Sequence, residues 1–357
     1  MNKSKIYFIP LSGKSKLAER CEAIRTILNY LPLDNILEEK RKTGIKTHFG
    51  DVNNTTHICP EVIRAVVDKV REYKALPFLM ETATLYSGPR NNAVTHIELA
   101  YEHGFTYEKV NAPIIMVDGL MGNTEVEVNI PGILFKSVNI ARDAVYSDCM
   151  IVVSHPTGHI VTGMGACLKN LGMGLATRKG KLKQHSSIFP KIIKNKCTYC
   201  LECYKWCPED AIIKHADIVE IVEDKCIGCG ECLSVCKFNA VKYNFAIESV
   251  ELQKRVAEYA MGAIYNKRDK CLFINVLTDM TAECDCMNIK QKPVIDDVGI
   301  LAGFDPVAVD QATLDLTRKM NNTDLGRISK SHLDPEIQLE HAEKIGLGNR
   351  SYDLIKI

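Results

Sequence analysis

The sequence predicts an α/β fold in which a largely parallel sheet with flanking helices is interrupted by a small cysteine-rich insertion of α+β type. Two observations support this prediction. Short apolar segments alternate with amphipathic segments along most of the 357 residues, a pattern typical of parallel α/β domains. Between residues 197 and 236 the alternation stops, and eight cysteines appear in two groups. The insertion therefore lies inside the α/β pattern and not at one end of it.

Apolar segments are predicted to form strands, and the amphipathic stretches between them helices. Strands are expected at Ile6–Ile9, Pro77–Met80, Ile114–Val117, Val126–Leu134, Met150–Ser154, Leu272–Leu277 and Val294–Leu301. Helices are expected at Lys14–Asn29, Pro60–Tyr73, Ala93–His103, Val138–Tyr146, Glu248–Tyr265 and Pro306–Lys319. Asp305 is predicted to cap the last helix, and Pro306 occupies its first turn, where proline is favoured.

The eight cysteines repeat one spacing. The first group is Cys197, Cys200, Cys203 and Cys207, and the second is Cys226, Cys229, Cys232 and Cys236. Each group reads C-x2-C-x2-C-x3-C, the spacing of bacterial ferredoxins that bind two [4Fe–4S] clusters. Zinc sites use two separated pairs of ligands, so zinc is disfavoured. The second group is followed by Lys237 where proline is usual, which affects the turn after the ligand and not the ligand set.

In such ferredoxins the fourth cysteine of each group binds the other cluster. Cluster A is therefore predicted at Cys197, Cys200, Cys203 and Cys236, and cluster B at Cys226, Cys229, Cys232 and Cys207. The insertion is predicted to span residues 190–245, between a first part of the α/β core at 1–189 and a second part at 246–357. Its expected role is to bring electrons to chemistry in the core.

Composition argues against several classes of partner. The 45 Lys and Arg residues nearly balance the 44 Asp and Glu residues, so no overall field attracts nucleic acid or a membrane surface. Fifteen cysteines without a secretory signal favour a reducing compartment. No segment approaches the roughly 20 apolar residues of a membrane span. A cytoplasmic protein is expected, and the oxygen sensitivity of exposed clusters favours an anaerobic host.

Two polar stretches of the core are candidates for substrate binding. His48, Asp51 and Asn53 lie in a turn-rich segment, which is either a binding loop or an ordinary turn. The second stretch follows a predicted strand, where α/β sites are usually found. It contains the candidate catalytic residues His155, His159 and Lys169 and the candidate substrate-binding residues Gly163 and Gly165. Glycines let backbone N–H groups approach an anion closely.

Two further segments carry reactive groups. His185 precedes the insertion and is a candidate catalytic residue for a proton-coupled reduction, or a residue that caps a turn. Cys284 and Cys286 flank Asp285 and are candidate ligands of a third metal ion. In an extended segment two such thiols point to opposite faces, so they can share a metal only if the chain turns. The alternatives are two reduced thiols or a redox pair.

Read in order, these segments resemble the iron–sulfur centre proteins of the domain-of-unknown-function family number 362. The motifs are His48-Phe-Gly-Asp51, Pro77-Phe-Leu-Met-Glu81-Thr-Ala-Thr-Leu-Tyr86, Asp118-Gly-Leu120, Ser154-His155-Pro-Thr-Gly-His159, Gly163–Gly174, Gly180–Ser186, the two cysteine groups, Cys284-Asp-Cys286, and Asp297–Asp310. The resemblance covers nearly the whole chain and implies an α/β domain with an inserted two-[4Fe–4S] module, but no reaction. Family members usually have a lysine where this chain has Thr157, so a role of that lysine does not carry over. A fainter similarity to nickel-pincer lactate racemases rests on a histidine before a glycine-rich turn and a later lysine.

The leading functional hypothesis is an iron–sulfur oxidoreductase that reduces a small substrate in the core. His159 or His185 would supply the proton, because histidine titrates near neutral pH. No flavin or nicotinamide fingerprint is present, so a protein electron donor or acceptor of the ferredoxin or flavodoxin type is expected. Two alternatives remain open. One is an electron-transfer protein without its own substrate, and the other is a metal-cofactor assembly or binding factor that uses Cys284 and Cys286.

Overall fold

The computed structural model describes residues 3–185, 189–242 and 249–357, which form a large sheet covered by helices on both faces. The strands are β1 (Ser4–Pro10), β2 (Lys42–Lys46), β3 (Leu76–Glu81), β4 (Ile114–Met116), β5 (Glu125–Asn129), β6 (Ser137–Ala141), β7 (Cys149–Ser154), β8 (Thr157–His159), β9 (Gly163–Gly165), β10 (Lys191–Ile192), β11 (Ile212–Lys214), β12 (Val219–Ile221), β13 (Val241–Lys242), β14 (Cys271–Leu277), β15 (Gly299–Gly303) and β16 (Tyr352–Lys356).

The helices alternate with these strands over most of the chain. They are α1 (Leu17–Tyr30), α2 (Pro60–Glu72), α3 (Ala93–Glu102), α4 (Tyr107–Val110), α5 (Arg142–Tyr146), α6 (Cys167–Gly172), α7 (Arg178–His185), α8 (Glu202–Lys205), α9 (Glu231–Val235), α10 (Ser249–Ile264), α11 (Pro306–Asn321), α12 (Leu325–Ser329) and α13 (Ile337–Lys344).

The main sheet has eight strands in the order β16-β1-β15-β14-β7-β2-β3-β4. Strands β14, β7, β2, β3 and β4 are parallel neighbours. Within this sheet, as far as the chain is described, only β15 runs against its neighbours, β14 and β1. The prediction of an α/β fold with a largely parallel sheet and flanking helices is therefore confirmed.

Alternate residues of the central strands supply two hydrophobic layers. On β7, Ile151 and Val153 pack with the helices α1 and α2, whereas Met150 and Val152 face the layer that contains α6, α10 and α11. Every residue of β7 and β14 is buried. Strands buried on both faces read as continuous apolar runs, which is why the sequence predicts these two strands.

Three predicted elements differ from the structure. The strand expected at Val126–Leu134 ends at Asn129, because the backbone N–H groups of residues 133–135 turn back to donate to the carboxylate of Glu258. The first half of the helix expected at Val138–Tyr146 is instead strand β6, which pairs with β5. The strand expected at Val294–Leu301 begins only at Gly299, and the predicted helix start at Glu248 lies outside the described residues.

Residues 189–242 repeat one structure at the 29-residue offset between Cys197 and Cys226. Left-handed residues flank the second cysteine of each group: Tyr199 and Leu201 in the first, Gly228 and Gly230 in the second. Short helices follow at α8 and α9, and the paired strands β10–β13 and β11–β12 complete the two halves. The division of the chain into domains at 190 and 245 stays a prediction, and its second boundary lies outside the described residues.

The short helix α6 is fixed by a carboxylate of α11. Asp310 accepts hydrogen bonds from the backbone N–H groups of Cys167 and Leu168, both at 2.9 Å. It also accepts one from Asn275 Nδ2 at 2.8 Å. Burial raises the pKa of Asp310 to about 6, while these donors oppose the shift. Cys167 and Leu168 are the first residues of α6, and a carboxylate at the N-terminal end of a helix also interacts favourably with the helix dipole. Asp310 therefore sets the position of α6.

In the described part of the chain no helix combines the length and the apolar character that crossing a bilayer requires.

Replacing Asp310 with alanine removes the carboxylate that accepts hydrogen bonds from Cys167 N–H, Leu168 N–H and Asn275 Nδ2. We expect Asp310→Ala to lower the free energy of unfolding by about 2–3 kcal/mol, because each unsatisfied buried donor costs roughly 1–3 kcal/mol and part of that cost is recovered by relaxation. Urea unfolding followed by circular dichroism measures the change. Asp353→Ala is the control, since Asp353 is largely exposed in its ion pair with Lys3 and such pairs contribute at most about 1 kcal/mol. Equal losses in both variants would contradict this role of Asp310.

Candidate functional site

A cavity of about 690 Å³ opens at the carboxyl ends of the central strands. Its walls are the loops that follow β2, β3, β7 and β14, together with residues of α6 and α7. Parallel strands bring such loops to one edge of a sheet, which is where ligands of α/β folds bind. The predicted site residues that line the cavity are His48, Asp51, His155, His159, Gly165, Lys169, His185, Cys284 and Cys286.

Two predicted substrate-binding residues lie elsewhere. Asn53 is exposed, and its backbone N–H and side-chain amide donate to Asn288 Oδ1 at 3.0 and 2.8 Å. Gly163 has φ +71° and packs beside Pro335 in the β8–β9 hairpin. Asn53 therefore belongs to a loop-to-loop contact, and Gly163 serves a turn that favours glycine.

The three carboxylates that line the cavity each have a cationic or histidine partner. Asp51 accepts from Arg90 Nη2 at 2.6 Å, and Arg90 is almost fully buried. Glu81 forms an ion pair with Lys46, which is buried as well. Asp285 bonds to His155 Nδ1 at 2.8 Å. These pairs stabilise charges that burial alone would disfavour.

Two lysines of the cavity make their contacts with groups other than carboxylates. Lys169 Nζ lies 3.3 Å from Cys284 Sγ. Lys181 Nζ donates to Thr82 Oγ1 and to the carbonyl of Ala176, both at 2.7 Å. Across the described residues neither lysine forms an ion pair. Burial lowers the pKa of both lysines, and that of Lys169 falls to about 8.

The histidines of the cavity are held in defined states. His155 uses both ring nitrogens, since Nε2 lies 2.8 Å from the carbonyl of Thr278 while Nδ1 faces Asp285. Burial would lower its pKa, but Asp285 raises the value above the usual one. Burial lowers the pKa of His159 well below its ordinary value and that of His185 to about 4. His159 and His185 are therefore neutral near pH 7, and neither is a ready source of a proton.

The segment Cys284-Asp285-Cys286 turns, so that both sulfur atoms face the same side. The N–H of Met287 donates to the carbonyl of Cys284 at 2.9 Å and closes the turn. The two sulfurs form a disulfide, and both residues line the cavity. Potential ligand atoms of His159, Cys284 and Cys286 lie within 4.8 Å of one another, so this group could hold a metal ion.

The eight cysteines of residues 197–236 surround two small cavities. One is lined by Cys207, Cys226, Cys229 and Cys232, and the other by Cys197, Cys200, Cys203 and Cys236. Each cavity brings together the four cysteines that the spacing assigns to one cluster, with the fourth cysteine of each group beside the other group. That these cysteines bind clusters stays a prediction.

The chemistry of these cysteines suits an iron–sulfur cluster. Backbone N–H groups of Ala211 and Ala240 donate to Cys207 Sγ at 3.2 Å and to Cys236 Sγ at 3.3 Å, and such bonds tune cluster potentials. Burial, with the nearby Cys236, raises the pKa of Cys203 to about 11, and burial raises the pKa of Cys232 further. Burial therefore disfavours bare thiolates at these positions, and a bound metal cation would offset that cost.

The second cysteine group lies against the wall of the large cavity. Leu85 lines that cavity and packs with Leu182 and with Leu233 of the cysteine-rich segment. A Cβ built on Gly230, which follows Cys229, would lie 3.6 Å from Leu85 Cδ1. Leu85 therefore contacts both the cavity and the segment that carries the second cysteine group.

The cavity is also lined by Lys46, Glu81, Tyr86 and Arg90, for which the sequence predicts no role. Arg90 contacts His48 Nε2 at 2.9 Å, the Tyr86 hydroxyl at 2.5 Å and the carbonyl of Cys286 at 3.0 Å. A role for Glu81 could have been predicted from the sequence, because it is an acidic residue at the carboxyl end of an apolar strand, and ligands of α/β sheets bind at that end. No role for Arg90 could be predicted in this way, since its partners come from three different loops.

Two solved structures are similar to this chain. The lactate racemase apoprotein from Thermoanaerobacterium thermosaccharolyticum has a TM-score of 0.40 and 10% identity, with 83% of this chain and 54% of that chain covered. A protein of Thermotoga maritima has a TM-score of 0.45 and 12% identity, with 90% of this chain and 61% of that chain covered. This chain thus spans little more than half the length of either structure. No curated protein matches the sequence.

The family model described as "Domain of unknown function (DUF362)" matches residues 43–315. The match runs from β2, whose last residue Lys46 pairs with Glu81, to helix α11, whose Asp310 fixes α6. It therefore includes the loops of the large cavity and both cysteine groups. Because the match covers well over half of the sequence, the chain belongs to the DUF362 family.

Proposed function

We propose that this chain is an iron–sulfur oxidoreductase that reduces a small anionic substrate in the cavity at the carboxyl ends of the central strands. The observation that carries the proposal is the position of Leu85, which lines the cavity and also packs against the second cysteine group. A cluster bound at that group would therefore lie close to the cavity wall.

The two cysteine sets would each hold one [4Fe–4S] cluster. Cluster A would bind Cys197, Cys200, Cys203 and Cys236, and cluster B would bind Cys226, Cys229, Cys232 and Cys207. Such clusters supply electrons one at a time at low potential. A ferredoxin- or flavodoxin-type protein is the proposed donor.

The charges of the cavity favour an anionic substrate. Four basic side chains and three carboxylates line it. Each carboxylate has its own partner, so the ammonium groups of Lys169 and Lys181 are left to interact with a bound anion. Charge-assisted hydrogen bonds are strong where water is excluded.

The proton for the reduction is assigned to Lys169 and not to a histidine. A pKa of about 8 keeps Lys169 largely protonated at pH 7 and still makes it a usable acid. His155 uses both ring nitrogens in contacts with Asp285 and Thr278. Burial lowers the pKa of both His159 and His185, which disfavours their protonated forms.

A metal-binding or assembly role is the second candidate function, because His159, Cys284 and Cys286 bring three potential ligand atoms together. An electron-transfer protein without its own substrate fits less well, since it would not need a large cavity with buried, paired charges.

Metal analysis of anaerobically purified protein tests the cluster assignment. We expect about eight iron and eight sulfide ions per chain, the content of two [4Fe–4S] clusters. Cys203→Ala and Cys232→Ala should each remove about half of the iron, because each deletes one ligand of a different set. Cys59→Ser is the control, since Cys59 lies at the start of α2. Bound zinc without sulfide would contradict the proposal.

Binding of matched anionic and neutral compounds tests the substrate class. We expect small dicarboxylates to bind, and their diamides to bind at least tenfold more weakly. Lys181→Met should weaken dicarboxylate binding about tenfold or more, because losing a charge-assisted hydrogen bond costs roughly 1.5–3 kcal/mol. Isothermal titration calorimetry gives the affinities.

Lys179→Met is the matched control for Lys181→Met. Lys179 lies on the same helix but pairs with Glu125 at 3.3 Å and does not line the cavity. Its replacement should leave dicarboxylate binding unchanged. Equal binding of diamides and dicarboxylates would contradict the proposal of an anionic substrate.

A further inference from the structure

The two sulfurs of Cys284 and Cys286 lie in unequal surroundings. Cys284 is 5% exposed and receives two donors: Lys169 Nζ at 3.3 Å and the backbone N–H of Cys286 at 3.2 Å. Cys286 is only half-buried and lies at the cavity wall. A thiolate is stabilised by a nearby cation and by N–H donors. The structure therefore favours negative charge on Cys284 and access to Cys286.

The cation beside the sulfurs is the ammonium of Lys169, whose Nζ lies 3.3 Å from Cys284 Sγ. His159, the other basic group near the sulfurs, is held through Nδ1 by contacts with the backbone N–H of Thr162 at 3.0 Å and with the Thr162 hydroxyl at 2.9 Å. Lys169 is therefore the group that places a positive charge directly against the pair.

We infer that Cys284 and Cys286 are a redox-active pair that cycles between disulfide and dithiol and reduces a small anionic disulfide bound in the cavity. The inference deepens the proposed function and rests on it for the source of electrons and for the charge of the substrate. Intracellular disulfides are usually transient and catalytic or redox-sensing, which agrees with this role.

The order of the thiol–disulfide exchange steps follows from the unequal surroundings of Cys284 and Cys286. Two electrons from a low-potential donor and two protons convert the disulfide into two thiols, with Cys284 held as a thiolate beside Lys169 when it gives up its proton. Cys286 gives its proton to solvent and its sulfur attacks the substrate disulfide, and the first substrate sulfur leaves and takes up a proton. The Cys284 thiolate then attacks Cys286 in the mixed disulfide and restores the Cys284–Cys286 bond. The second substrate sulfur leaves and takes up the other proton, so two protons are released and two are taken up. The substrate disulfide is reduced to two thiols, and the protein dithiol is oxidised.

Trapping of the mixed disulfide tests the order of these steps. Chemically reduced protein is mixed with dithiodipropionate, an anionic disulfide, or with cystamine, a cationic one, and the adduct is located by mass spectrometry of the digested protein. We expect Cys284→Ser to accumulate an adduct at Cys286, because the attacking thiol remains and the resolving thiol is gone. Cys286→Ser should accumulate at least tenfold less. Dithiodipropionate should react at least tenfold faster than cystamine, and Lys169→Met should remove that preference whereas Lys179→Met should keep it.

A redox titration of the unaltered protein keeps the test independent of the variants. In dithiothreitol buffers of graded potential, alkylation should convert the peptide with Cys284 and Cys286 from unmodified to doubly labelled in one two-electron step. The inference is overturned if the peptide is doubly labelled at every potential. It is also overturned if neither variant forms an adduct, or if a metal ion present in the unaltered protein is lost from both variants.

Iron and sulfide are measured on the same samples. If both are absent while the adduct forms at Cys286, the proposed function fails and the redox pair stands. If eight iron ions are present while no adduct and no two-electron step are found, the redox pair fails and the cluster assignment stands.

Discussion

The carboxylate of Asp285 holds the cavity together. It bonds to His155 after β7, and its other oxygen accepts from Asn54 Nδ2, after β2, at 3.1 Å. The carbonyl of the same residue accepts the N–H of Asp51 at 3.1 Å. Burial raises the pKa of Asp285, but His155 and the other donors outweigh burial and lower it. Because Asp285 lies between the two cysteines, this network fixes the turn that brings their sulfurs together.

The ion pairs around Asp285 make that arrangement rigid as well as charged. Arg90, beyond β3, binds both Asp51 and the carbonyl of Cys286, so the β3 loop is tied to the loops after β2 and β14. Removing one partner of a buried pair leaves an uncompensated charge and is strongly destabilising. The loops of the cavity therefore depend on one another. A cavity built in this way presents Lys169 and Lys181 to a ligand in fixed positions.

The sequence predicted those helices and strands whose pattern depends only on neighbouring residues. Helix α11 begins as expected, because Asp305 accepts from Val307 N–H at 2.9 Å and Pro306 follows it. Strands β7 and β14 were predicted from their apolar runs. Strand β2 was missed, since Lys46 is buried by an ion pair with Glu81 on the next strand, and no local pattern reveals that partner. Most residues of the candidate site could not be predicted either, because their partners also lie on distant segments of the chain.

The cavity is lined by His155, His159 and Lys169 of the glycine-rich stretch and by His185, which precedes the cysteine-rich segment. Their roles depend on contacts that the sequence does not contain. Burial lowers the pKa of His159 well below its usual value and that of Lys169 to about 8, so burial is what makes Lys169 and not His159 the proposed acid. Residue type therefore located the candidate site, while tertiary contacts determined what each group can do.

Reduction of a disulfide consumes two electrons. Each [4Fe–4S] cluster exchanges one electron, so the two proposed clusters would together hold the number that one disulfide needs. A cavity that reduced its substrate by single electrons would have to stabilise a radical, and it would need an open metal site or a conjugated cofactor to do so. Transfer of both electrons through Cys284 and Cys286 would avoid a radical on the substrate. The ammonium of Lys169 beside Cys284 stabilises the anionic sulfur that the second electron creates, and it places a proton beside that sulfur at the same time.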